Sequence, residues 1–310
     1  MNIDRRDFLQ RSSLLGASFL LPVLSATALP IDRQPAAAGF QLKFMATNWG
    51  FEGTTDAFCA RAKAAGYDGI EVWWTSDTKA QEALFAALQQ HQLEVGFLCG
   101  GSSSDPATHL KQFREALLAA TSQNKQRPLY INCHSGRDYF TFAQNRDFID
   151  LTVKVAASTG IPVYHETHRS RILFAAHVAR EYLEKIPGLQ LTLDISHWCN
   201  VHESLLQDQE ATVKLALART GHIHARIGHP EGPQVNDPRA PEWEATVKAH
   251  LSWWDQVMAR KKADGQLMTV LTEFGPADYM PALPYTRQPV ANQWEVNVYM
   301  MNLLKQRYNH

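Results

Sequence analysis

His222-Ile-His224-Ala-Arg226-Ile-Gly228-His229-Pro-Glu231 begins as an alternating strand and ends in a loop rich in Gly and Pro. Successive side chains of a strand point to opposite faces, so His222 and His224 share one face and Ile223 takes the other. Two earlier stretches end in the same style, Val163-Tyr-His165-Glu166-Thr-His168 and Leu191-Thr-Leu193-Asp194-Ile-Ser-His197. A later one reads Leu267-Met-Thr-Val-Leu271-Thr-Glu273-Phe-Gly275. Each apolar strand delivers a carboxylate or an imidazole at its C-terminal end. One polar residue there reads as a turn residue; a succession of them reads as a site.

Outward from these stretches, strand and helix alternate from about residue 41. Strands are predicted at 42–49, 69–74, 94–101 and 128–136, ahead of those carrying Glu166, Asp194, His224 and Glu273. Between them fall helical runs, two of them closed by Gly66 and Gly160 and one opened by Asp105-Pro106. Later helices are predicted at 174–185, 208–218, 242–262 and 292–308. Eight such units call for a parallel sheet covered by helices. The predicted fold is a closed (β/α)8 TIM barrel, a single domain with its first strand meeting its eighth. His134, Glu166, Asp194 and His224 recur at spacings of 32, 28 and 30 residues, the allotment of a barrel of roughly 250 residues. An open doubly wound sheet is the alternative. Asn48-Trp49-Gly50 stands where such a fold needs a GxGxxG turn after its first strand.

The 310 residues are 45% hydrophobic and 20% charged with a formal net charge of −1, which leaves no basic footprint for nucleic acid. Cys59, Cys99, Cys133 and Cys199 form no CxxC pair, which excludes a zinc ribbon or redox motif. Cys99 and Cys133 fall near the ends of consecutive strands, and buried free thiols are expected. Arg5-Arg6-Asp7-Phe8-Leu9 precedes a modest apolar run from Leu14 to Leu29, with Ala26-Thr27-Ala28 as a cleavage site. Residues 1–29 therefore read as a twin-arginine signal peptide, 30–40 as a linker and 41–310 as the barrel. The expected location is periplasmic, after export of the folded chain. The apolar run is broken by Pro22 and is too weak for a stable membrane span.

Glu166, Asp194, His224 and Glu273 supply three carboxylates and one imidazole on adjacent strands. That set suits one divalent metal ion, Mn²⁺, Mg²⁺ or Co²⁺, with Zn²⁺ also compatible. N-capping or loop hydrogen bonds are the bland alternative for each. His197 reads as a substrate or second-metal contact, and His134 and Glu71 as pocket wall. His222, two residues deeper than His224, supports the site or fills the barrel. His165 faces the helices. Trp49, Trp73, Trp74 and Trp198 would stack on a sugar ring or pack in the core. Arg169, Arg171 and Arg226 would read an anionic group or form a solvated rim. The long stretch 228–239, rich in proline, reads as an ordered lid over the mouth.

These motifs resemble the xylose-isomerase-like barrel superfamily of sugar isomerases, ketose epimerases, inosose dehydratases and endonuclease-IV-type enzymes. The resemblance spans residues 41–308 and rests on His165-Glu166-Thr-His168, Asp194-Ile-Ser-His197, His222-Ile-His224 and Thr272-Glu273-Phe274. It implies a single-metal set on Glu166, Asp194, His224 and Glu273; Glu166 and Glu273, on strands five and eight with the other two between them, are expected to be the catalytic pair. It further implies substrate contacts at His197, and the remaining pocket candidates are His134, Glu71, His168, Arg226 and Trp49. Two departures narrow the choice. The nuclease branch needs a histidine where Cys99-Gly-Gly stands and an Asp-x-His where Asp237-Pro-Arg239 stands. The ketose epimerases carry a further glutamate where His168-Arg169-Ser-Arg171 stands. The expected activity is a metal-dependent sugar isomerase or epimerase acting through an enediolate. A lyase or hydratase on a keto-sugar or cyclitol shares the enolising step, and a nuclease or a non-enzymatic sugar-binding barrel is the fallback. The expected partner is a small carbohydrate, with no nucleic acid and no stable membrane insertion; the oligomeric state is left open.

Overall fold

Apolar strands of three to seven residues separated by capped helices have one low-energy way to bury both faces, and the chain adopts it. The computed structural model describes residues 39–308. The strands are β1 (Gln41–Thr47), β2 (Gly69–Trp73), β3 (Glu94–Cys99), β4 (Ile131–Cys133), β5 (Val163–Glu166), β6 (Leu191–Leu193), β7 (Thr220–His224) and β8 (Leu267–Thr272). They close in chain order into a parallel barrel, with β1 paired to β8 from Gln41↔Leu267 to Ala46↔Thr272. The helices around it are α1 (Thr55–Ala65), α2 (Thr78–His91), α3 (Pro106–Ser122), α4 (Phe142–Thr159), α5 (Ala176–Lys185), α6 (Ile195–Val201), α7 (Glu210–Arg219), α8 (Glu244–Ala263) and α9 (Gln293–Tyr308). The export signal expected at 1–29, and the linker up to residue 38, lie outside the described residues. No helix among those described is long and apolar enough to cross a membrane.

The caps are local. Thr54, Asp77, Asp105 and Thr141 each accept a backbone N–H of the first turn, and Thr141 and Gln144 form a capping box. Gly66 and Gly160 close α1 and α4 in the left-handed region, as expected. Helix α6 was not expected. It is a single short helix inserted directly after β6, capped by Asp194 itself, whose carboxylate accepts the Ser196 N–H. The four cysteines are free and buried, with Cys99 and Cys133 register partners on β3 and β4.

The main core fills the space between barrel and helices. A separate cluster, Met45, Tyr130, Tyr164 and Leu271, fills the barrel interior. Tyr130, Tyr164 and Leu271 each lie two residues before Asn132, Glu166 and Glu273, on the same face of their strands. They are the floor on which the polar layer stands. Gly96 and Gly221 make room for the two tyrosine rings, because a Cβ at either position would overlap Tyr130 or Tyr164. Gly221→Ala is therefore expected to cost about 1–3 kcal/mol and to lower the calorimetric melting temperature by several degrees. Combining it with Tyr164→Leu should cost less than the sum of the single changes. A Gly221→Ala protein that melts with the wild type would contradict this packing.

Candidate metal and substrate site

Because β5 to β8 end at one mouth, the polar residues at their ends converge. Glu166 closes β5, Asp194 follows β6, His224 closes β7 and Glu273 follows β8. One ligand atom from each lies within 4.8 Å of the others. His224 Nδ1 is 2.9 Å from Glu273 Oε2 and 3.8 Å from Glu166 Oε1. Those three atoms are buried without a hydrogen-bond partner. Asp194 spends Oδ1 on the Ser196 backbone N–H (3.2 Å) and hydroxyl, which leaves Oδ2 for the cluster. Buried acceptors facing one centre are costly unless a cation joins them. Three carboxylate oxygens and one imidazole nitrogen fit a divalent ion.

The support for His224 lies behind it. Its Nε2 is 3.2 Å from Glu71 Oε1, and Glu71 Oε2 is 3.4 Å from His222 Nε2. His222 Nδ1 rests on Thr269 Oγ1 at 2.7 Å, and its ring stacks on Tyr130 with centroids 4.2 Å apart. Asn132 Nδ2 donates to Glu166 Oε2 at 3.0 Å and lies 3.2 Å from His224 Nε2. Glu71 was expected in the pocket wall. It lies instead in the barrel interior, fully buried, two residues short of the end of β2. A carboxylate there orients the imbedded imidazole and leaves Nδ1 to the cluster.

Burial dominates the electrostatics. It pushes Glu166 up to about 8, against the pull of His224 and with help from Glu273, Asp194 and Glu71. It also raises Asp194, although Arg226 opposes it. At Glu273 burial is outweighed by His224 and Arg226, which hold the carboxyl below its ordinary value. At Glu71 burial is likewise outweighed by His224 and His222. His224 titrates well above an ordinary imidazole, because Glu273, Glu71 and Glu166 outweigh burial.

The cluster opens onto a cavity of about 270 Å³, with Glu166, Glu273 and Arg226 in its lining and Trp49, Trp73 and Tyr279 around them. Its wall carries two imidazoles with opposite roles. Arg171 donates to His134 Nδ1 at 3.2 Å, so Nε2 keeps the proton and is a donor. His168 Nδ1 donates to the Arg169 carbonyl, so its Nε2 is bare. His197, expected to touch substrate, is fully buried on α6 and accepts from Arg226 Nη2 at 2.9 Å. Trp198 is core, its Nε1 donating to Leu173 O at 2.8 Å. His165 faces Thr152 of α4, as expected. The 228–239 stretch is ordered but contributes nothing to the cavity lining. Its Gln234 is tied to Gly275 N and O instead. The wall residue in that role is Tyr279, from the connection after β8, which sequence reasoning missed along with Asn132 and Ser196. Asn132 was within reach of it, being in phase with His134 on the same strand.

The Glu71 contact predicts a measurable effect. Glu71→Gln should weaken divalent-metal affinity by about 10–100-fold while leaving the melting transition cooperative. Unchanged affinity by calorimetric titration would remove Glu71 from the support of His224.

Comparison with known proteins places this geometry. The sequence model of the xylose isomerase-like TIM barrel family matches residues 59–240, more than half of the chain. No curated protein matches the chain. A solved D-tagatose 3-epimerase-like protein superposes with a TM-score of 0.55 at 13% identity, covering 85% of this chain and 96% of its own. A solved AP endonuclease, family 2, from Brucella melitensis does so with a TM-score of 0.52 at 14% identity, covering 84% of this chain and 98% of its own. At these identities the two neighbours attest the barrel alone. With the family match and the closed eight-stranded barrel, the chain belongs to the xylose isomerase-like TIM barrel family.

Proposed function

We propose that the protein is a divalent-metal-dependent isomerase or epimerase of a small carbohydrate, working by proton abstraction next to a carbonyl. The observation that carries the reading is the cluster of Glu166, Asp194, His224 and Glu273, three of which turn unpartnered atoms toward one point beside a cavity sized for a single sugar. A divalent ion held there, Mn²⁺, Mg²⁺ or Co²⁺, would supply Lewis acidity toward a carbonyl and its neighbouring hydroxyl. Glu166 ends β5 and Glu273 follows β8, with β6 and β7 between them, so they flank the cluster. One takes the α-proton and the other returns a proton, to the opposite face of the same carbon in an epimerase or to the neighbouring carbon in an isomerase. Asn132 fixes the Glu166 carboxylate through Oε2. The His134 Nε2–H and the Arg226 guanidinium offer donors to substrate oxygens. Trp49 and Trp73 offer ring faces at the mouth, Trp73 being 51% exposed.

The D-tagatose 3-epimerase-like neighbour lends this reading its reaction class, and the endonuclease neighbour lends the competing one. His134 weighs against a nuclease with several metals. It lies beside Glu166 and His168 in a second possible ligand group, yet Arg171 fixes it as a donor. The Arg5-Arg6 stretch adds a proposed periplasmic setting.

The test is a panel of ketoses, aldoses and keto-sugars incubated with Mn²⁺-loaded protein in D₂O and followed by NMR. Deuterium should enter at the carbon next to the carbonyl of at least one sugar. Glu166→Gln and Glu273→Gln should each slow turnover by at least about 100-fold. Loss of water from the labelled sugar would move the protein to the lyases. No exchange with any sugar, together with cleavage of an abasic-site duplex, would overturn the carbohydrate reading.

A further inference from the structure

Arg226 follows His224 by two residues, just past the end of β7, where its backbone N–H donates to the His224 carbonyl at 3.0 Å. It is only 1% exposed. Its Nη2 reaches Asp194 Oδ2, lies 3.5 Å from Glu273 Oε2 and donates to His197 Nε2 at 2.9 Å. Its Nε donates to Ser196 Oγ at 3.3 Å, and its guanidinium carbon lies 4.7 Å from the Tyr279 ring centre. Asp194 Oδ2 is the oxygen that residue has left for a metal ion, since Oδ1 is taken by Ser196. An arginine therefore holds one of the four ligand positions and lies beside a second, at Glu273.

We propose that Arg226 is a resident cation that balances the site before metal arrives, sets its affinity for divalent ions and gives up the Asp194 oxygen when the ion binds. This rests on the metal reading above. Three clustered carboxylates cannot be buried as anions without compensation. Glu166, Asp194 and Glu273 carry up to three negative charges, which Arg226 and a divalent ion together match, while Glu71 one layer deeper faces His222 and His224. The guanidinium cannot deprotonate, so its charge persists in both states. It repels an incoming ion and holds an oxygen the ion needs, and both effects weaken binding. Ser196 and Tyr279 grip other parts of the guanidinium, so it remains in the cavity wall after Nη2 is released. That nitrogen then faces the cavity, where Arg226 already forms part of the lining. Metal loading thereby frees a donor for substrate, which orders the two binding events.

The experiment titrates Mn²⁺ alone into chelator-treated wild type, Arg226→Gln and Arg226→Lys, with calorimetry for affinity and for melting. The wild type should keep a cooperative melting transition without metal. Arg226→Gln should bind Mn²⁺ at least about tenfold more tightly, and its melting temperature should rise more on loading than the wild type's. Arg226→Lys, which keeps the charge, should bind less tightly than the glutamine variant. If the glutamine variant folds only with Mn²⁺ present, the ion is replacing the lost cation and the proposal stands. Affinity unchanged or weaker in Arg226→Gln would overturn it, as would a wild type that unfolds on chelation. Enolisation plays no part in these readouts, so they remain decisive if the carbohydrate reading fails. One divalent ion bound per chain with no sugar turned over would remove that reading and leave this one in place.

Discussion

Glu71, Glu166 and Asp194 are buried and Glu273 half-buried at one end of a closed barrel, and the rest of the site follows from that concentration of carboxylates. An ionised carboxylate out of water needs hydrogen bonds and opposite charge close by. Two answers are built into the chain. Glu71 faces two imidazoles, His222 and His224, in the barrel interior. Asp194 takes Arg226 and the Ser196 hydroxyl. Glu273 Oε2 and His224 Nδ1 face each other at 2.9 Å with Arg226 3.5 Å from the carboxylate, and Glu166 Oε1 beside them has no hydrogen-bond partner within the protein.

The barrel makes this arrangement affordable by separating stability from chemistry. Tyr130, Tyr164, Met45 and Leu271 pack the interior, and helices cover the outer faces of the strands. The polar groups stand one residue pair further along the same strands. Strand ends can then carry unfavourable groups without loosening the core beneath them. The His224 imidazole joins the two layers, one nitrogen toward Glu71 in the interior and the other toward Glu273 at the mouth.

Much of this was legible in the sequence because strand periodicity is strict. The eight strand–helix units, the closing contact between β1 and β8, and the polar strand ends all follow from alternation and spacing. The convergence of Glu166, Asp194, His224 and Glu273 was legible for the same reason. Depth was not. Glu71 lies in phase with the mouth residues, but two positions short of the end of β2, and so belongs one layer below them. His197 and Trp198 were placed at the mouth because nothing announced a seven-residue helix immediately after β6. Asp194 caps that helix through Oδ1 and still lies in the four-residue cluster, so the cap that sequence reasoning set against a ligand role does not displace it from the site. Tyr279 comes from the long connection between β8 and α9, where no period constrains the side chain. The proline-rich 228–239 stretch was read as a lid over the mouth, but its Gln234 is tied to Gly275 and none of it lines the cavity.

The central claim is that Glu166, Asp194, His224 and Glu273 hold one cation at the mouth of this barrel. Its most direct test is a crystal structure of Mn²⁺-loaded protein with the ion located by anomalous scattering. The account predicts one anomalous peak per chain, bonded to His224 Nδ1 and to an oxygen from each of the three carboxylates. No peak among those residues would contradict it, and so would additional peaks of equal strength at His134 and His168.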